Sequence, residues 1–271
     1  MTRSRTTPVT HGGVDLTGRV VLVTGGTRGI GAEITRTFLT AGAQVLVCGR
    51  SEPEQLPEAD GRTPAFVQSD VRDPEQAKAL VAAAVDRFGR LDILVNNAGG
   101  APSADTATVS PRFVSAIVSL NLLAPFYVAQ SANEVMQRQG GGTIINIGSV
   151  AGSNPAPDTA AYAAAKAGLT MLTQCLGIDF APAVRVNQVT VGLVQTELSH
   201  LYYGDEAGQD RVARTIPMQR MATPADVAAA CLLLASPLAG YVTGTEILVA
   251  GGGEIPSRHL AALPPGTGPL G

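Results

Sequence analysis

The stretch Arg19-Val20-Val21-Leu22-Val23-Thr24-Gly25-Gly26-Thr27-Arg28-Gly29-Ile30-Gly31 decides the fold, because a β-branched run ends in a glycine-rich turn that opens onto a helical pattern. Gly25 is free to take backbone angles closed to other residues, Gly29 lets a pyrophosphate come close to the main chain, and Gly31 lets the helix pack tightly on the strand. Uncapped N–H groups and the helix dipole at such a turn attract an anion. Alone the turn is a moderate signal, since similar turns also serve tight packing.

The rest of the chain repeats the rhythm. Short β-branched runs predict strands over 19–24, 44–48, 65–68, 91–95, 143–147, 184–189 and 246–249, and Ala-rich stretches predict helices over 30–41, 74–88, 111–139, 159–180 and 224–235. Strands alternating with helices make an α/β fold, a doubly wound, mainly parallel seven-stranded sheet with helices on both faces. One domain is expected over residues 14–253, with tails at 1–13 and 254–271 and a long loop near 192–217 that reads as a substrate lid.

Composition narrows the function. Charged residues are 15% of the chain against 45% hydrophobic, and the net charge is −3, so no basic field draws the protein to nucleic acid or a membrane surface. The first residues lack the apolar run of a secretory signal, and no uninterrupted apolar segment reaches the ~20 residues that cross a bilayer. Cys48, Cys175 and Cys231 are odd in number, widely spaced and set among apolar neighbours. They read as buried reduced thiols rather than disulfides or metal ligands, which makes the cytoplasm the expected compartment.

The second strand runs into Cys48-Gly49-Arg50, and the acidic residue that would grip a ribose 2′-hydroxyl is absent there. Arg28 and Arg50 flank the expected pocket and match a 2′-phosphate in two-pronged fashion, so NADP(H) is favoured and NAD(H) remains open. Asp70, after the third strand, is placed to accept from an adenine amino group or to cap the helix that starts near Pro74.

Tyr162 and Lys166 stand four apart in an Ala-rich helix and share a face. A neighbouring ammonium and an oxidised nicotinamide both favour the phenolate, which would lower the tyrosine's pKa from ~10 and make it a proton relay. Lys166 is also placed to bind the nicotinamide ribose. Ser149 follows the fifth strand, at the end where ligands gather in open α/β sheets, and its hydroxyl would meet the substrate oxygen. Asn121 lies among leucines in the 111–139 helix and needs a partner, for which a water bridge to Lys166 is the expectation. Each has an ordinary explanation alone, as a surface pair, a cap or a backbone-bonded amide.

Taken together, these residues resemble the short-chain dehydrogenase/reductase family from about Leu16 to Gly253, with its Rossmann-type domain. Thr24–Gly31 resembles that family's TGxxxGxG cofactor motif, Asn96-Asn97-Ala98-Gly99 its NNAG element, and Asp70-Val71 its adenine contact. The resemblance implies Asn121, Ser149, Tyr162 and Lys166 as catalytic residues. It implies Gly25, Thr27, Arg28, Gly29, Ile30, Gly31, Arg50, Asp70, Val71, Asn97, Ala98, Gly99, Tyr162, Lys166, Val194 and Thr196 as cofactor contacts, and a homotetramer or homodimer joined near the 241–253 segment. One departure is Val191-Gly192, where the family usually has Pro-Gly, so the turn facing the nicotinamide loses proline stiffness.

The implied reaction interconverts a small-molecule secondary alcohol and a ketone. Leu193, Leu198, Leu201, Tyr202 and Tyr203 in the lid point to an apolar, bulky substrate, steroid-like or an acyl thioester, unless they only pack the lid on the body. His200 reads as solvated. A non-catalytic NADP(H)-sensing module is the alternative, disfavoured because a sensor needs no proton relay. A nucleotide-sugar epimerase or dehydratase would need more chain after the sheet.

Overall fold

The computed structural model describes residues 13–262, so of the expected tails at 1–13 and 254–271 the parts 1–12 and 263–271 lie outside the described residues. Seven strands form one sheet: β1 (Val20–Thr24), β2 (Gln44–Gly49), β3 (Ala65–Gln68), β4 (Ile93–Asn96), β5 (Gly142–Ser149), β6 (Val184–Val191) and β7 (Glu246–Val249). Their order is β3-β2-β1-β4-β5-β6-β7, and every pairing is parallel. The order reverses between β1 and β4, and a crevice opens there beyond the carboxyl ends of the strands.

Alternate side chains of each central strand serve opposite cores, which is why the strands read as continuous apolar runs rather than alternating ones. Val21, Val23, Val45 and Val47 pack with α1 (Gly29–Thr40) and α8 (Pro224–Ala235) on one face. Val20, Leu22, Leu46 and Leu94 pack on the other with α2 (Pro74–Phe88) and α4 (Ala124–Gln139). Asp73 starts α2 by accepting from the N–H groups of Glu75 and Gln76, and Thr223 and Asp226 form a capping box on α8.

Several boundaries differ from the sequence reading, each for a local reason. β4 starts at Ile93 because Asp92 turns its carboxylate back to the Val20 N–H (2.9 Å) and to Arg19 and Arg90. β5 and β6 each run two residues further than expected, which pairs Ser149 with Val191. The helix expected over 111–139 is continuous, but a π turn at Ser119–Leu123 separates α3 (Pro111–Val118) from α4. Its 29 residues are long and apolar enough to cross a membrane by length and composition, although polar residues such as Ser115, Ser119, Asn121 and Gln130 interrupt the run. Val128, Ala129, Ala132 and Met136 of this span are buried in the core on that face.

The lid holds two short helices that periodicity did not reveal, α6 (His200–Tyr203) and α7 (Glu206–Ala213), and α9 (Ser257–Ala262) lies within the expected carboxyl-terminal tail. The Ile255 N–H donates to the Thr215 carbonyl (2.7 Å), tying that segment under the lid. Cys48 and Cys231 are buried free thiols, but Cys175 is exposed on α5 (Ala160–Asp179), because it falls on the face of that helix turned away from the sheet.

Candidate active site

A cleft of about 750 Å³ runs across the carboxyl ends of the strands, within the ~300–1,000 Å³ range of cofactor sites. The turn after β1 forms one wall. Gly25 and Gly29 have φ of +62° and +52°, and a Cβ on Gly31 would stand 2.2 Å from the Gly25 carbonyl oxygen. The Asn97 side chain donates to the carbonyls of Thr24 (2.9 Å) and Gly25 (3.1 Å). Thr24 Oγ1 accepts from the N–H groups of Asn97 and Ala98 (both 3.0 Å), so the segment after β4 is stapled to the turn. Arg28 makes no side-chain cap and the first turn of α1 holds no acidic residue, leaving its N–H groups aimed into the cleft.

At the far end, Gly25, Thr27, Arg28, Gly29, Ile30, Gly31, Arg50, Asp70 and Val71 all line the cleft. Asp70 also has a protein partner. Arg72 grips its carboxylate through Nε (2.9 and 3.1 Å) and Nη2, so both oxygens already have a partner, and this hydrogen bonding first of all holds the carboxyl below its usual range. Asp73, not Asp70, caps α2. The sequence reading missed Arg72, Ser51 and Ser69, which also line this end; no motif marks them, and only the fold brings them together.

The opposite wall carries Ser149, Tyr162 and Lys166, with Asn97, Ala98 and Gly99 between it and the turn. Lys166 Nζ lies 5.7 Å from the centre of the Tyr162 ring and donates to the Ile147 carbonyl (2.8 Å). Burial pushes the lysine down to about 8. Burial raises Tyr162 and proximity to Tyr202 adds to the rise, while the approach of Ser149 partly offsets both. Ser149 Oγ also accepts from the Ala151 N–H (3.2 Å).

Asn121 lies at the centre of the π turn, fully buried and outside the cleft lining. Its amide donates to the carbonyls of Gly100 and Ile117 (both 3.0 Å), and its oxygen accepts from the Gly100 N–H (2.9 Å). Backbone groups thus supply partners for the amide that the sequence reading found buried among leucines. A Cβ on Gly99 would meet Asn121 Oδ1 at 2.9 Å and Lys166 Nζ at 3.4 Å, which places Gly99 between the two.

The lid closes the third side. Val194, Thr196, Leu198, Tyr202 and Tyr203 line the cleft, whereas Leu193, His200 and Leu201 do not. Val194 bridges to Ala222, and the buried Ser199 hydroxyl accepts from the Thr196 N–H (2.7 Å) and donates to the Val194 carbonyl (3.3 Å), which fixes the lid's first turn. Glu197, unmarked in the sequence, reaches over the phosphate turn: a Cβ on Gly29 would stand 3.5 Å from its carboxylate.

Known proteins resemble the chain in sequence and in fold. A family model described as enoyl-(acyl carrier protein) reductase matches residues 25–254. The chain is 37% identical over 246 residues to 3beta-hydroxysteroid dehydrogenase 1 of Eggerthella lenta, covering 88% of this chain and 94% of that one. It is 38% identical over 253 residues to L-fucose dehydrogenase of Oryctolagus cuniculus, covering 90% and 88%. The structure of a gluconate 5-dehydrogenase from Burkholderia cenocepacia in complex with NADP and tartrate superposes with a TM-score of 0.82 at 32% identity, covering 90% of this chain and 97% of that one.

Proposed function

The chain belongs to the short-chain dehydrogenase/reductase family and is an oxidoreductase of alcohols and ketones, and from that premise we propose that Tyr162 exchanges the proton with the substrate oxygen while Ser149 orients it. The observation that carries the proposal is the shared cleft: an uncapped, glycine-lined helix start faces a Ser149, Tyr162 and Lys166 cluster across one cavity. The bare glycines of the turn leave room for a dinucleotide, whose phosphates the N–H groups of α1 would hold. When bound, the nicotinamide supplies or accepts the hydride.

Ser149 donates to the substrate oxygen, and Tyr162 gives up its proton there in reduction or takes it in oxidation. Lys166 makes the phenolate easier to form and is placed to hold the nicotinamide ribose. Asn121 acts on the Gly99–Gly100 backbone. Arg28 and Arg50 favour NADP(H) over NAD(H), with Val194 and Thr196 as contacts from the lid. Leu198, Tyr202 and Tyr203 shape an apolar mouth that suits a bulky alcohol or ketone, steroid-like or an acyl thioester. The exposed Leu238, Tyr241 and Leu248 around the β7 edge support association into a homodimer or homotetramer. The buried thiols of Cys48 and Cys231 support a reducing, cytoplasmic setting.

The test is a nicotinamide-absorbance screen in which secondary alcohols are offered with NADP+ and NAD+ and ketones with NADPH and NADH. Turnover of a bulky apolar compound in one panel is the expected result. Turnover of small polyols alone would overturn the substrate class.

A further inference from the structure

Helix α5 does not rest on aliphatic side chains alone where it crosses the sheet. Beneath it Asn96 of β4 donates to Asn146 Oδ1 (2.9 Å), and Asn146 of β5 donates to Thr173 Oγ1 on the helix (2.9 Å). One strand further, Gln188 of β6 donates to Thr170 Oγ1 on the helix (2.8 Å) and to Thr190 Oγ1 (2.7 Å), whose hydroxyl passes the chain to Glu246 of β7. Asn96, Asn146, Thr173, Gln188 and Thr190 are all buried, so this polar seam runs through the core across β4, β5 and β6 and surfaces at Glu246 of β7.

Gln188 touches a neighbour of each group in the proposed relay. The Thr170 hydroxyl that accepts from it donates to the Lys166 carbonyl (3.3 Å). Its side chain crosses the bare Cα of Gly148, the residue before Ser149, where a Cβ would meet Nε2 at 2.4 Å and Cδ at 2.5 Å. Thr190 precedes Val191, which pairs with Ser149. Meanwhile Gln188 Oε1 is buried with no hydrogen-bond partner, an arrangement that lowers stability relative to an apolar side chain of the same shape. What the glutamine adds is direction: hydrogen bonds fix the rotation and axial position of a helix on a sheet, whereas aliphatic contact leaves both looser.

We propose that Gln188 is a positioning residue that sets α5 against β5 and β6, so that Tyr162, Lys166 and Ser149 keep their mutual geometry. The inference rests on the relay assigned to Tyr162 and Lys166, yet its test needs no turnover. Gln188→Met preserves the volume over Gly148 and removes the amide. The measurements are urea unfolding, amide hydrogen exchange, and the ultraviolet titration of Tyr162 taken as the difference from a Tyr162→Phe partner in each background.

The variant should unfold at an equal or higher midpoint while its α5 amides over 160–170 exchange about tenfold faster and those of α1 and α8 do not change. The Tyr162 midpoint should move by about half a pH unit. Thr170→Val should reproduce both effects, and the double variant should exceed neither single one. Unchanged exchange and titration, additive losses, or exchange that rises equally in α1 and α8 would overturn the proposal. If Gln188→Met does not fold, Thr170→Val decides alone on the same two readings. A Tyr162→Phe protein with full turnover would remove the relay without altering these results.

Discussion

Lys166 and Tyr162 stand one helical turn apart on α5, with the lysine nitrogen 5.7 Å from the ring centre and both side chains on the same cleft wall. The phenol oxygen is the group placed to exchange a proton beside Ser149, and phenylalanine keeps the ring while removing that oxygen. Tyr162→Phe should lower turnover by about 10²–10⁴-fold with cofactor affinity within about twofold of wild type, as measured by nicotinamide absorbance and fluorescence titration. Unimpaired turnover would refute the assignment.

Burial moves Lys166 from 10.5 to about 8, so the folded chain loses this proton near pH 8 while the unfolded chain keeps it to 10.5. Between those values the unfolded state binds more protons, and stability therefore climbs with pH; below 8 the penalty is complete and constant. Tyr162, Tyr203 and Cys48 are shifted upward by burial and act in the opposite direction at higher pH, so a comparison with Lys166→Met is needed to isolate the lysine. The stability difference, wild type minus variant, should grow by about 2 kcal/mol from pH 8 to 10 in urea unfolding. A flat difference curve would show that the lysine is not desolvated.

Arg50 lines the cleft beside Gly49, and among the described residues it joins no ion pair, unlike Arg72, which Asp70 holds. Arg50→Ala should weaken NADPH by about tenfold or more, the worth of a charged hydrogen bond, and NADH by less than about twofold. Equal losses in isothermal titration would remove the 2′-phosphate assignment.

Gly31 has no space for a methyl group, since its Cβ would lie 2.2 Å from the Gly25 carbonyl oxygen and 2.5 Å from Asn97 Nδ2. Gly31→Ala should push the turn away from the Asn97 staple, lowering stability by about 1–3 kcal/mol and abolishing cofactor binding. Binding at wild-type strength would mean that the turn does not hold the phosphates.

The strand-and-helix rhythm was legible because the strands buried on both faces are mostly β-branched and apolar and the helices are Ala-rich. The grouping of Tyr162, Lys166 and Ser149 on one cleft wall was legible because the first two are a helical turn apart and Ser149 ends a strand. What escaped depends on three-dimensional neighbours. The clamp of Arg72 on Asp70, the reach of Glu197 over Gly29 and the backbone bonds of Asn121 leave no spacing signature. The burial of Tyr162 and the approach of Tyr202, which raise its pKa, were not legible either, because both depend on how the lid packs on the helix. Cys175 was misassigned because apolar neighbours along the chain do not say which side of a helix meets the sheet.

β5 ends in the Ser149 hydroxyl and, two residues earlier, offers the Ile147 carbonyl to which the Lys166 ammonium is moored. The strand that bears the serine is thus clasped to the helix that bears the lysine, so a change that shifts either end of this clasp should be felt at the other.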